Sequence, residues 1–153
     1  MKTSDKFILL LIIINITSFF IGLIMLEEHG ASILDATLHT YPAIEGLKIN
    51  FLKNLIEYGK YGENSYPLHH IIYAYINPFP PGNYLYKIIS CIFSSIIIIF
   101  FYFIINIRFK IRRLESLFLS SLILLSPYFR SSAFWGMTEN TGYIFLIISF
   151  FFF

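Results

Sequence analysis

The sequence predicts an all-α integral membrane protein with a large loop between its first two spanning helices, and three observations carry that prediction. Hydrophobic residues make up 57% of the 153 and charged residues only 13%, against roughly 45–50% and ~25% in ordinary globular chains. A soluble domain of this size would lack the polar side chains to cover its surface. Two stretches, 7–26 and 88–107, each run 20 residues without Asp, Glu, Lys or Arg, and at ~1.5 Å per residue each matches a hydrocarbon core of about 30 Å. Neither stretch alternates apolar with polar residues as a barrel strand does, so a helix is what satisfies its backbone inside lipid. Hydrophobicity this high excludes disorder, and a net charge of +2 is too small to point to nucleic acid.

The first stretch follows Lys2 and Lys6, as a secretory signal would. It exceeds the ~7–15 residue signal core, however, and no A-x-A-like site precedes Glu27, so it reads as an uncleaved anchor. Cys91, the one cysteine, lies inside the second stretch, which excludes an intrachain disulfide and a cysteine-based metal site. A third apolar run, 116–129, is interrupted only by Pro127, and a fourth extends from about 140 to 153. The expected spanning segments are therefore about 7–26, 88–107, 114–133 and, incompletely, 140–153. The last reaches only about 21 Å, short of the ~30 Å core, and no Lys or Arg anchor follows it; the chain is expected to be the N-terminal piece of a longer protein.

Loop charges orient these segments. The turn 108–115 carries Arg108, Lys110, Arg112 and Arg113 against Glu115, which places it in the cytoplasm. Lys2 and Lys6 put the N-terminus on the same side, as two crossings require. The segment 27–87 holds six acids (Glu27, Glu28, Asp35, Glu45, Glu57, Glu63) and four lysines and belongs outside, as does 130–139. The expectation is a multi-pass protein of the cell membrane.

Loops as long as 27–87 are usually functional. Within this one Leu47, Phe51, Leu55 and Tyr58, with Leu52 and Ile56 beside them, recur at helical spacing over 45–58, opposite Asn50, Lys53, Asn54 and Glu57. Gly59 and Gly62 end this helix, which is expected to lie in the membrane interface. A second short helix is expected over about 68–75, between Pro67 and a turn at 77–83 rich in Asn, Pro and Gly. It carries His69 and His70. Adjacent helical residues point about 100° apart and suit one metal ion poorly, so the pair reads either as interfacial polar residues or as contacts to an anionic group.

The landmarks Ile44-Glu45-Gly46-Leu47, Gly59, Tyr66-Pro67-Leu68-His69, Leu125-Ser126-Pro127 and Glu139 resemble, in order and setting, the N-terminal part of the GT-C glycosyltransferases. These include the protein O-mannosyltransferases and the lipid A aminoarabinose transferases. Such families typically read Asp-Glu, a helix, Gly, then Pro-Pro-Leu-Tyr; here Ile44 stands where the Asp is usual. The resemblance implies GT-C-like transmembrane helices and inverting transfer of a sugar from a polyprenyl-phosphate donor to a hydroxyl of a lipid, glycan or protein acceptor, at the outer face of the bilayer. It makes Glu45 the general base, Asp35 a fallback acid and Glu139 a second acid, and it gives Arg130, Lys48, His69 and His70 to the donor phosphate. No cofactor is demanded, although a divalent metal is compatible.

Each assignment has a plainer counterpart. Glu45 reads equally as a helix-start carboxylate, Lys48 as its ion-pair partner one turn on, and Arg130 as a snorkelling anchor. Glu139 reads as part of a helix cap, and Trp135, with Tyr128 and Tyr143, as an interfacial aromatic belt. At the level of the whole chain the counterpart is a non-enzymatic membrane protein, either a transporter subunit or an assembly component of a surface-polysaccharide pathway. The two complete helices carry no charged residue, and beyond Asn15, Gly22 and Asn106, of which only Gly22 reads as a breaker, nothing that would interrupt them, which counts against transport.

Overall fold

The computed structural model describes residues 3–25, 30–61 and 67–153. Glu27, Glu28, Gly62, Glu63 and Tyr66 fall outside the described residues. The described residues form helices joined by short turns, with no strand among them. Two helices are long and apolar enough to cross a membrane: α1 (Thr3–Met25), and α6 (Tyr84–Phe103) prolonged by a π turn, Ile104–Arg108. Most of each surface is not covered by the rest of the chain. Ile13, Ile14, Phe20, Ile21 and Ile24 of α1, and Ile92 and Ile99 of α6, are exposed, apolar surface that water would not tolerate and lipid would.

What α1 and α6 do bury follows the helical repeat. In α1 the buried residues are Ile12, Asn15, Phe19, Gly22 and Leu23, a single stripe at three- and four-residue spacing. In its middle the Asn15 amide donates to Ser121 Oγ at 2.9 Å. In α6 the stripe is Tyr86, Lys87, Ser90, Cys91, Ser94 and Ile97. Its small members let neighbouring helices approach closely, the usual device for packing inside a bilayer.

The third apolar run, expected as a span over 114–133, is bent. It comprises α7 (Arg113–Ser121), a 3-10 turn (Leu122–Leu125) and α8 (Pro127–Trp135), and it bends by 70° between Leu125 and Pro127. Pro127 is the cause. Proline has no N–H for the preceding turn and drives the residue before it out of the helical region. Ser126 accordingly sits at φ −67°, ψ 121°, and its hydroxyl accepts from Phe129 N to start the new helix. Gly136, at φ 65°, ends α8 in the left-handed conformation. A Cβ there would meet Ser90 Oγ at 2.8 Å and Tyr86 Oη at 3.0 Å, so α8 closes on α6 only because this residue has no side chain.

Helix α9 (Thr138–Phe152) then runs beside α6 in the same direction. The Asn140 amide donates to Ser94 Oγ at 2.9 Å near its start, and the Arg108 guanidinium donates to Phe151 O at 3.2 Å near its end. At that end Arg112 pairs with Asp5 at 3.0 Å. The start of α1 and the basic turn thus share one end of the bundle, as the charge pattern requires of them.

The large loop packs at the other end, around Tyr84. Its first part is one helical run, α2 (Gly30–Asp35), a π turn (Ala36–Thr40) and α3 (Tyr41–Ile49). Pro42 has no N–H to continue the regular ladder, and at the junction Tyr41 N reaches back to Ala36 O instead. The helix expected to begin near residue 45 is already formed at Gly30, and Glu45 lies in its interior rather than at its start. The run breaks at Asn50, at φ −148°, ψ 89°, whose side chain accepts from Lys53 N and caps α4 (Phe51–Ile56). Short polar side chains of this kind compete with the helix ladder and favour such caps, so the helix expected over 45–58 is two. A 3-10 turn, Tyr58–Tyr61, follows. Helix α5 (Leu68–Ile76) agrees with the sequence expectation to within a residue.

The core lies where loop and helices meet. Phe19 and Leu23 of α1, Tyr41 and Ile44 of α3, Tyr73 of α5, Tyr86 of α6, and Phe134 and Trp135 of α8 form one buried cluster. The Ser32 and Ser131 hydroxyls, hydrogen-bonded to each other, tie α2 to α8.

Candidate functional site

Glu45 projects from α3 into solvent, one turn beyond Tyr41. The Tyr41 ring meets Tyr86 edge-on at 5.5 Å between centroids, which fixes this part of α3 near the Tyr84 end of α6. Its neighbours Ala43, Ile44 and Leu47 are buried, so the helix presents the carboxylate outward by locking its opposite face. Ile44 is 0% exposed. The position where the resemblance places an aspartate is therefore a core position, and an apolar residue there is what the packing demands.

Lys48 does not reach for the Glu45 carboxylate. Its ammonium donates to Asn77 O at 2.6 Å and Phe79 O at 2.8 Å, clasping α3 to the turn that leads into α6. Loss of water holds its pKa below the ordinary lysine value, and the negative charge of Glu45 opposes that shift in part. Asn77, fully buried, completes the junction by donating its amide to Tyr86 O at 3.0 Å.

Both histidines are buried. His69 Nε2 lies 3.0 Å from Gly136 O and Nδ1 2.7 Å from Thr141 Oγ1. A carbonyl only accepts, so Nε2 carries the proton and Nδ1 accepts from the Thr141 hydroxyl. Burial, reinforced by the neighbouring His70 and opposed by the Gly136 carbonyl, pushes the His69 pKa down to about 3, and the ring is neutral near pH 7. His70 Nδ1 is hydrogen-bonded to the Tyr58 hydroxyl, and its ring stands edge-on to His69 at 5.0 Å. The pair welds α5 to the Tyr58–Tyr61 turn on one side and to the α8–α9 corner on the other.

The His69 arrangement has a consequence for pH. An unfolded histidine titrates near 6.5, so as pH falls from about 6.5 towards 3 the unfolded chain takes up a proton that the folded chain refuses. The stability contributed by neutral His69 is complete above pH 6.5 and is lost progressively below it. Thermal unfolding in detergent is expected to show the midpoint dropping between pH 7 and pH 5, with a smaller drop in His69→Gln. Equal drops in both proteins would remove His69 as the cause.

Arg130 is only 8% exposed. Its guanidinium donates to Ser18 Oγ at 3.2 Å and Ser18 O at 3.1 Å and lies over the Phe134 ring at 5.9 Å, binding α8 to α1 about two helical turns inside the end of that helix. It is neither a surface anchor nor displayed to solvent. Glu139 is exposed in the first turn of α9 and accepts from Ser132 Oγ at 3.3 Å. The same hydroxyl accepts from Asn140 N at 3.2 Å, which makes Ser132 and Glu139 parts of one helix-start arrangement. Asp35 is exposed where α2 meets its π turn. Among the described residues no hydrogen bond or ion pair joins Glu45, Asp35 and Glu139 to one another, and no three His, Cys, Asp or Glu side chains stand close enough to hold a metal ion.

The structure also pairs two residues that the sequence kept apart. Lys87 Nζ lies 3.7 Å from the centre of the Trp135 ring, a cation–π contact stacked inside the bundle. Trp135 is 4% exposed, so it is not part of an interfacial belt, whereas Tyr128 and Tyr143 are exposed as a belt requires. The one signal for this pair in the sequence is the placement of Lys87 at the edge of an apolar run, where a lone charge needs a partner. No protein-family model matches the chain, and no curated protein or solved structure is significantly similar to it.

Proposed function

We propose that the chain is part of a membrane-embedded glycosyltransferase that moves a sugar from a polyprenyl-phosphate carrier to an acceptor hydroxyl at the extracytoplasmic face, with Glu45 as general base. In the reaction Glu45 accepts the hydroxyl proton, the oxygen attacks the anomeric carbon from the side opposite the carrier, and the sugar–phosphate C–O bond breaks with its electron pair leaving on the phosphate. One observation carries the reading. Glu45 is an exposed carboxylate, with no hydrogen bond or ion pair among the described residues, on a helix whose other face is fixed in the core, at the end of the bundle opposite the basic turn.

The geometry revises the remaining roles. Lys48, His69, His70 and Arg130 each hold the loop or the helices in place, so they act as positioning residues, and the charge of the departing phosphate is met by groups outside this set. Asp35 and Glu139, both exposed, stay available as the fallback acid and the second acid respectively. The test is transfer of labelled sugar from polyprenyl-phosphate sugar by membranes containing the full-length gene product, wild type against Glu45→Gln.

A second reading draws on the same four residues. With each of them engaged inside the fold, no convergent charged cleft exists among the described residues, which favours a non-enzymatic assembly component of a surface-polysaccharide pathway. Retention of lipid-linked sugar by the purified protein without turnover would select it.

A further inference from the structure

Along α6, the Leu122–Leu125 turn, α8 and α9 runs an open groove of about 590 Å³, within the ~300–1,000 Å³ of ligand sites. Its walls are apolar, with Ile97 and Phe101 on one side and Leu146 and Ile147 on the other, and its lining reaches Arg108 and Phe109 at the basic end. From Ile97 to Arg108 the groove follows α6 for about 16 Å, half of a ~30 Å hydrocarbon core and so the depth of one leaflet.

The basic turn that continues from Arg108 carries unbalanced charge. Arg112 is paired with Asp5 at 3.0 Å and Glu115 at 3.2 Å. Arg108 uses one of its five donors on Phe151 O. Lys110 and Arg113 are exposed, with no carboxylate within 4.0 Å among the described residues. An apolar slot one leaflet deep whose lining ends at Arg108 and Phe109, next in sequence to Lys110, is complementary to an amphiphile with one long chain and an anionic head.

We infer that this groove seats an acyl chain of an anionic phospholipid from the surrounding leaflet, its phosphate lying against Arg108 and Lys110. A zwitterionic headgroup brings its own cation into an already positive turn, whereas an anionic one supplies the missing charge. The inference rests on the bilayer reading of α1 and α6 but not on sugar transfer, since the mouth of the groove lies at the opposite end of the bundle from Glu45.

Native mass spectrometry of the delipidated full chain in detergent, titrated with palmitoyl-oleoyl phosphatidylglycerol or phosphatidylcholine, tests it without any enzymatic readout. One phosphatidylglycerol is expected to be retained in preference to phosphatidylcholine. Lys110→Gln, an exposed change that leaves the fold alone, should weaken that retention about fivefold, and Ile147→Trp, which fills the slot, should weaken binding of both lipids. Circular dichroism confirms that each variant is folded. Equal retention of the two lipids, indifference to Lys110→Gln, or phosphatidylglycerol binding unaffected by Ile147→Trp in the folded protein would each overturn the inference. So would a lipid-free dimer, which would give the groove to a second copy of the chain.

Discussion

Replacing Glu45 with glutamine is expected to lower sugar transfer by about 10²–10⁴-fold, the range a positioned general base contributes, while leaving the protein as stable as before. Glutamine matches the shape of the carboxylate and removes its ability to accept a proton. Because Glu45 is exposed and engaged in no hydrogen bond or ion pair among the described residues, nothing structural is lost with it. The loss should fall on kcat with KM little changed, as for an interaction made in the transition state, and the thermal unfolding midpoint should stay at the wild-type value. Asp35→Asn and Glu139→Gln serve as internal comparisons; a loss confined to Asp35→Asn would move the base to that residue. Wild-type turnover in Glu45→Gln would take the residue out of the mechanism.

Installing an aspartate at Ile44, the residue common at this place in the families the motif resembles, is expected to damage the protein rather than improve it. Ile44 has no exposed surface and packs in the cluster with Tyr41, Tyr73 and Tyr86. The exchange forfeits about 1.5–3 kcal/mol of apolar burial and adds the cost of an uncompensated buried charge, about 3–5 kcal/mol. Ile44→Val, which keeps the site apolar, should cost only about 0.5–1.5 kcal/mol. Unfolding of both variants in detergent measures the difference. A stable Ile44→Asp protein with raised transfer activity would show that position 44 faces substrate after all.

How far the sequence could be read depended on whether the signal was local. The lengths of α1 and α6 follow directly from uncharged runs, and α5 is bracketed by Pro67 and by Asn77-Pro78, so all three were legible. The bend between Leu125 and Pro127 was half legible. The proline is visible in the sequence, but whether a helix kinks mildly or turns by 70° depends on what the segment beyond it packs against, here α6 and α9. The break at Asn50 and the helical order already present at residue 30 were hidden for a similar reason. The apolar stripe over 45–58 continues across Asn50 as if the backbone did, and the stretch before Tyr41 owes its order to contacts with α8.

The candidate site was legible at Glu45 and not at the residues around it. His69 finds its partners 67 and 72 positions away, Lys48 finds its own 29 and 31 away, and Arg130 reaches back 112 residues to Ser18. No local spacing encodes such pairs, so polar residues that close the core look in the sequence like residues free to bind a phosphate.

The account depends on α1 and α6 threading a bilayer so that Glu45 and the basic turn emerge on opposite sides. Cys91 is the one cysteine and it is buried, so a Cys91→Ser background accepts single reporters at two exposed sites, Lys53→Cys on α4 and Lys110→Cys in the turn. A membrane-impermeant maleimide added to intact cells should label the first at once and the second only after the membrane is opened. Labelling of both from the same side would contradict the topology and, with it, the placement of Glu45.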